Sequence, residues 1–196
     1  QSSRERLQRA LVEKLPIVLV IGHKNPDTDT VISSMAEAYR NHLINADNIT
    51  YLPVVQGDAI PDEVRRLLGG QLSAAILLSS EQIYKGAFSS GQARWILVDQ
   101  NRAPEVQKFT VSIVDHHVVS EIALRQNISK TLEMAGSTTA LIFQKICGLG
   151  VDTSKELSKI LYGATLMDTE NRLALKMTNK DSLIMDVLKA QAEIKN

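Results

Sequence analysis

The sequence predicts an α/β protein: one domain over residues 1–196, built as a doubly wound, mostly parallel β-sheet flanked by helices on both faces. Two observations predict it. Short apolar runs rich in β-branched residues alternate with segments of helical period over most of the chain, and unbroken apolar runs are what strands buried on both faces require. Three of those runs also lead into side chains able to bind metal: IVLVIG into His23, WILV into Asp99, and VSIV into Asp115-His116-His117. In open α/β sheets, sites form beyond the carboxyl ends of the strands.

The elements follow in order. Residues 1–15 predict an N-terminal amphipathic helix: Leu7, Ala10, Leu11 and Lys14 fall at helical spacing, Ser2 and Glu5 have the pattern of a capping box, and Pro16 ends it. Residues 17–22 then read as a buried strand. A helix over 28–45 follows, with Ile32, Met35, Ala36, Tyr39 and Leu43 on its apolar face. Residues 50–57 read as a strand, 61–70 as a helix with Pro61 near its start and glycine at its end, and 74–80 as another strand. Two more strands are expected at 95–101 and 111–117, then helices at about 137–149, 154–167 and 180–194.

Composition excludes several classes. The chain has 196 residues, 44% hydrophobic and 22% charged, which suffices for a well-formed core and argues against disorder. A formal net charge of zero gives no electrostatic reason to expect a polyanion-coating or membrane-surface protein. No apolar run approaches the roughly 20 residues of a spanning helix, and no signal-like start is present, so a cytoplasmic protein is expected. The single cysteine, Cys147, fits a reducing compartment. Its apolar surroundings predict a small buried hydrophobe. Because the chain begins with Gln, a piece of a longer protein is expected.

Four positions carry chemistry. The run 22–30, GHKNPDTDT, places His23, Asp27 and Asp29 within seven residues at a strand-to-helix turn. Imidazole and carboxylate together suit Mn²⁺, Fe²⁺, Co²⁺ or Zn²⁺, although an Asp at a helix start is also an ordinary cap. Asp115-His116-His117 follows a buried strand, Asp99 follows another, and Asp168 follows an apolar helix. Singly, each could be a polar turn residue. Jointly, six donors at the ends of elements that should pack side by side suit two cations about 3.5–4 Å apart sharing one carboxylate. Gly136-Ser137-Thr138-Thr139 starts a helix whose N–H groups are read equally as a phosphate cradle or a plain cap. His42 reads as solvated, and Trp95 and Phe143 as core. Ser79-Ser80 and Ser89-Ser90 lack a base partner, which removes a serine nucleophile.

These residues carry a resemblance. GHKNPDTDT resembles the first signature of the manganese-dependent (family II) inorganic pyrophosphatases, and VDHH (114–117) the motif that names the DHH phosphoesterase superfamily. VDQN (98–101), GST (136–138) and MDT (167–169) are similar to further family segments, so the likeness spans roughly 17–185. It implies two Mn²⁺ ions, while the ligand types alone also allow Co²⁺, Zn²⁺ or Mg²⁺. His23 and Asp27 would hold one ion, Asp29, His116 and Asp168 the other, and Asp99 would bridge them. His117 would face the substrate phosphate and Asp115 would orient its neighbours. Asn25, Gln100, Ser137 and Thr138 would be further phosphate contacts. The implied reaction is in-line attack on phosphorus by a metal-bridging hydroxide, with pyrophosphate or a short polyphosphate as substrate. A homodimer is allowed by the same likeness. Three departures stand out. Gln100 replaces the histidine usual after the bridging Asp. The stretch DTENRLALKMTNKD is closer to exopolyphosphatase and prune-like relatives, which have a DxxN segment followed by TxxD. The family's C-terminal substrate-binding domain is absent from this chain.

Two other classes compete. A DHH-type nuclease, or an oligonucleotide or cyclic-dinucleotide phosphodiesterase, would favour basic and stacking side chains, but the chain is 4% aromatic and neutral, so nucleic acid is not the expected partner. A catalytically weak metal-binding regulatory module is the other, against which stands the presence of all six ligands.

Overall fold

The computed structural model describes residues 2–45, 49–73, 75–125 and 127–194. Six strands form one sheet: β1 (Ile17–Ile21), β2 (Thr50–Val55), β3 (Leu77–Leu78), β4 (Ala93–Val98), β5 (Thr110–Asp115) and β6 (Ser129–Leu132). Their order is β3-β2-β1-β4-β5-β6, and every pairing is parallel. The chain winds outward from β1 in one direction, returns, and winds outward in the other. The two directions meet between β1 and β4, where Leu19 lies opposite Trp95.

Strand geometry sends alternate side chains to opposite faces, and β1 supplies both cores. Val18 and Val20 pack under α2 (Thr28–Ile44), α3 (Asp62–Ser73), α6 (Thr138–Cys147), α7 (Lys155–Asp168) and α8 (Asn179–Gln191), with Ile32, Phe143, Leu161 and Leu188 in that core. Ile17, Leu19 and Ile21 face the other way, against Leu7 and Ala10 of α1 (Ser3–Val12), Ala87 of α4 (Gln82–Ser89) and Ala123 of α5 (Glu121–Arg125). Trp95 and Phe143 are both core residues, each 1% exposed. The Ser2–Glu5 capping box of α1 is present. Gly69, with φ of 68°, breaks α3 where its end is expected. Among the described residues, no helix is long and apolar enough to cross a membrane.

Several expectations need correction. The third strand is only Leu77–Leu78; residue 74 lies outside the described residues. α4, α5 and β6 lack a legible signal: the N-cap of α4, Glu81, makes no side-chain cap bond, and β6, SKTL, is a half-exposed edge strand with no apolar run. On α2, Tyr39 and Leu43 are each 37% exposed, while Glu37 and Asn41 are buried. That helix is clasped by β2, α6 and α7 together, so its buried surface is wider than one apolar stripe. Glu37 is satisfied there by Arg40 at 2.7 and 2.8 Å and by Asn41 at 2.9 Å. Cys147 is exposed, not buried: it is the last residue of α6, and the core side ends at Ile146.

Candidate metal centre

The β1–β4 switch point brings the expected side chains to one edge of the sheet. β1 ends at Ile21, and Gly22 turns the chain into His23. A Cβ at Gly22 would lie 2.2 Å from Thr30 Cγ2, so only glycine permits the first turn of α2 to approach this closely. The Gly22 carbonyl accepts the side-chain amides of Gln56 (2.6 Å) and Gln100 (2.5 Å). Asp27 caps α2, accepting the Thr30 N–H at 2.9 Å, so the ordinary capping role and the position beside His23 belong to the same carboxylate.

Asp99 is the hub. It is 2% exposed and adopts φ of 54°, a left-handed conformation that Asp tolerates better than most residues. Its Oδ2 accepts the Thr30 hydroxyl at 2.5 Å and lies 3.3 Å from His23 Nε2. Its Oδ1 lies 3.2 Å from His116 Nε2 and accepts the Thr138 hydroxyl at 3.2 Å. His23 Nε2 is also 3.7 Å from Asp27, and His116 Nε2 is 3.9 Å from Asp168. Two donor groups result, His23/Asp27/Asp99 and Asp29/His116/Asp168, each with ligand atoms within 4.8 Å of one another. A third such group, Asp99/His116/His117, shares members with them.

Supporting contacts aim these groups. Asp29 is held by the Ser137 hydroxyl (2.6 Å) and by the backbone N–H groups of Thr138 (2.8 Å) and Thr139 (3.0 Å) at the start of α6. The anion that this helix N-terminus meets is here an internal carboxylate, Asp29. His116 Nδ1 bonds the Ala135 carbonyl at 2.9 Å, which turns Nε2 towards Asp99. Asp115, fully buried, accepts the His117 ring N–H (2.8 Å), the His116 backbone N–H (2.9 Å) and the Asn101 amide (2.5 Å). Asp168, at the end of α7, accepts Lys176 Nζ on Oδ1 at 2.7 Å, while its buried Oδ2 accepts no hydrogen bond. Asn25 is exposed in the turn. Gln100 ties β4 to β1 through Gly22 rather than standing free.

Electrostatics match a site that holds cations. Hydrogen bonds to Asp27 and to Asp99 raise the His23 pKa to about 10. Burial opposes the charged form of His116, but its bond to Asp99 and the charge of Asp29 outweigh this and lift it to about 9. Burial, then the charges of Asp99 and Asp168, push Asp29 up to about 7. Burial also raises Asp168. Asp99, despite burial, is held well below the carboxylate range by His116, His23 and Thr30. Four carboxylates crowd the site, offset by the raised His23 and His116 and by Lys176. The Asp168 Oδ2 that accepts no hydrogen bond and the mixed His/Asp donor set fit hard or borderline divalent ions.

Thr30, Asn101 and Lys176 are the residues that sequence reasoning passed over. Thr30 stands inside the GHKNPDTDT run and Asn101 inside VDQN, so the motifs contained them. Lys176 has no local signal, because it reaches Asp168 only through the fold of the loop after α7.

Comparison with known proteins places the chain in a family. A family model described as the DHH family, N-terminal domain, matches residues 17–167. An Archaeoglobus fulgidus protein named "Probable manganese-dependent inorganic pyrophosphatase" is 30% identical over 162 residues, covering 78% of this chain and 49% of the relative. A Lactococcus lactis protein of the same name is 27% identical over 183 residues, covering 90% of this chain and 55% of its own. The chain thus spans about half the length of these relatives. Among solved structures, an exopolyphosphatase-related protein from Bacteroides fragilis aligns with a TM-score of 0.69 at 20% identity, over 96% of this chain and 56% of that one. A Methanococcus jannaschii protein provisionally named a family II inorganic pyrophosphatase aligns at 0.65 and 23% identity, over 91% of this chain and 57% of its own. At these identities the structural likeness speaks for the fold alone. With the match covering residues 17–167, the chain belongs to the DHH family and carries its N-terminal domain.

Proposed function

We propose that this chain is the metal-holding domain of a phosphohydrolase that cleaves pyrophosphate or short polyphosphate, and that it works together with a separate substrate-gripping domain. One observation carries the reading: the two oxygens of Asp99 face different donor groups, Oδ2 towards His23 and Oδ1 towards His116. A carboxylate so placed is suited to bridge a pair of cations. In this reading His23, Asp27 and Asp99 hold one Mn²⁺, and Asp99, Asp29, His116 and Asp168 hold the other. When bound, such a pair supplies Lewis acidity and an activated water.

The chain's own residues do the rest. His117 is half-exposed, and its Nδ1–H is committed to Asp115, so Nε2 is left to meet a phosphate oxygen. The bond to Asp115 raises the His117 pKa and favours the cationic ring, which suits an anionic substrate. The ring opens onto a cavity of about 520 Å³ lined also by His116, Met134 and Lys176. Lys176 adds one cation. A pyrophosphate leaving group calls for more, and losing a single aimed donor typically costs about 10²–10³ in rate. The isolated chain is therefore expected to bind Mn²⁺ yet hydrolyse poorly.

The test measures phosphate release from pyrophosphate, tripolyphosphate and a short oligonucleotide, with Mn²⁺, for the chain alone and for the protein joined to a substrate-binding domain. Turnover of pyrophosphate or tripolyphosphate by the two-domain protein only is the expected result. Full activity in the 196 residues would refute the two-domain argument. Oligonucleotide cleavage with pyrophosphate inert would transfer the site to a phosphodiesterase.

A further inference from the structure

The TxxD element at 178–181 takes no part in the ligand set, yet its aspartate is 1% exposed. Asp181 Oδ2 accepts three donors: the Gly136 N–H at 2.8 Å, and the backbone N–H and hydroxyl of Thr178, both at 2.7 Å. Its other oxygen is buried with no hydrogen-bond partner. Capping α8 explains the two contacts with Thr178. It does not explain the third, which reaches 45 residues back along the chain to Gly136.

Gly136 belongs to the segment that aims half of the metal centre. Within 135–139, the Ala135 carbonyl orients His116, Ser137 and the N–H groups of Thr138 and Thr139 hold Asp29, and the Thr138 hydroxyl reaches Asp99. Gly136 is closely packed: a Cβ there would lie 2.7 Å from Thr169 Cγ2, and Thr169 directly follows Asp168. The segment is thus clamped between the Asp168 turn on one side and the Asp181 carboxylate on the other.

We propose that Asp181 is a positioning residue for the Asp29/His116/Asp168 half of the centre, acting through the 135–139 segment that it pins. The assignment rests on the two-cation reading above. Groups that orient metal ligands typically change affinity by about 10–100-fold when removed. The effect should fall mainly on one of the two ions, because the 135–139 segment holds Asp29 and His116 directly and meets the His23/Asp27 half only through Thr138 and the shared Asp99.

Mn²⁺ titration of the purified chain, read by the electron paramagnetic resonance of free Mn²⁺, tests this together with thermal melts in EDTA. Asp181→Ala should weaken one of two Mn²⁺ equivalents by about tenfold or more and leave the other near the parent value. Asp181→Asn keeps an acceptor oxygen for Gly136 and should recover most of the loss. Thr178→Ala removes the α8 cap while sparing the Gly136 contact, so it should lower the melting temperature yet bind both ions as the parent does. If Asp181→Ala does not fold by circular dichroism, Asp181→Glu takes its place, since it keeps the charge but shifts the oxygens off Gly136. Two unchanged Mn²⁺ sites in Asp181→Ala would overturn the assignment alone. Equal weakening by Thr178→Ala would reduce it to general stability and overturn it too. A parent chain binding fewer than two Mn²⁺ would overturn the dinuclear reading itself, and the proposal with it.

Discussion

Replacing Gly22 with alanine should damage both the fold and one side of the metal centre. The added Cβ would sit 2.2 Å from Thr30 Cγ2 and 3.3 Å from the Thr30 carbonyl oxygen, against about 3.5–4.0 Å for relaxed carbon contacts. Two routes relieve the overlap. The Gly22 backbone could retreat, but Gln56 and Gln100 both hold its carbonyl. Thr30 could turn, but its hydroxyl bonds Asp99 and meets His23 at 2.6 Å. Overpacking strain typically costs about 1–3 kcal/mol, and losing two hydrogen bonds about 0.5–1.5 kcal/mol each, so either route predicts a loss of about 1–3 kcal/mol. For a domain of this size that is a fall of about 2–12 °C in melting temperature. Because Thr30 stands between His23 and Asp99, Mn²⁺ should also weaken at the His23 side. Melts in EDTA and Mn²⁺ titrations measure both effects. Thr30→Ser deletes the obstructing methyl and keeps the hydroxyl, so Gly22→Ala/Thr30→Ser should regain most of what Gly22→Ala loses. A single variant that melts within a degree of the parent, or a double variant no better than the single, would refute the steric argument.

Three further outcomes follow from the same geometry. Asp99→Ala should leave the chain with less bound metal by elemental analysis than Asp27→Ala, since Asp99 faces His23 of one donor group and His116 of the other; retention of two ions would dismiss the bridging role. Mn²⁺ affinity should rise with pH, because His23 (about 10) and His116 (about 9) are protonated in the metal-free chain below those values and must release protons to bind metal. Each site should gain about tenfold per pH unit across pH 7–8.5, and the half that includes Asp29 (about 7) should steepen below pH 7; pH-independent titration curves would contradict this. Lys176→Ala removes the ammonium that competes for Asp168 and should tighten Mn²⁺ binding up to about fivefold, in keeping with a partly exposed pair worth ~0.2–1 kcal/mol; weaker binding in calorimetry would show that Lys176 supports the site.

The fold and the candidate ligand set were legible for a shared reason. Parallel strands buried on both faces must be apolar throughout, so runs such as 17–21 stand out, and a polar residue directly after one marks the sheet edge where sites gather. His23, Asp99 and His116 are all of this kind. What was not legible lies where burial and local pattern part company. β6 is polar because it is an edge, and its place is set by pairing with β5. Glu37 and Asn41 are buried because α6 and α7 close over α2 from positions about a hundred residues later, which no window along α2 reports. Ser137 and Thr138 carried the correct physical signal, a helix N-terminus awaiting an anion, but the sequence does not say which anion, and Asp29 is supplied from α2.

Chain order also separates the two candidate donor groups in time. The residues of the His23/Asp27/Asp99 group are all present once residue 99 is made, whereas the other group waits for Asp168 at the end of α7. Closing the contacts costs nearly the same in chain entropy, since Thr30 and Asp99 are 69 residues apart and Asp29 and Ser137 are 108 apart, a difference of about 0.4 kcal/mol. Synthesis, not entropy, separates them. From residue 99 to residue 168 a ribosome adding roughly 5–20 residues per second takes about 3–14 s. In that interval the growing chain would carry only part of the proposed ligand set, and ligand types alone rank divalent ions by intrinsic affinity rather than by finished geometry. On the two-cation reading, the identity of the first ion captured would then depend on which cation the surrounding solution offers while the second half is still being made.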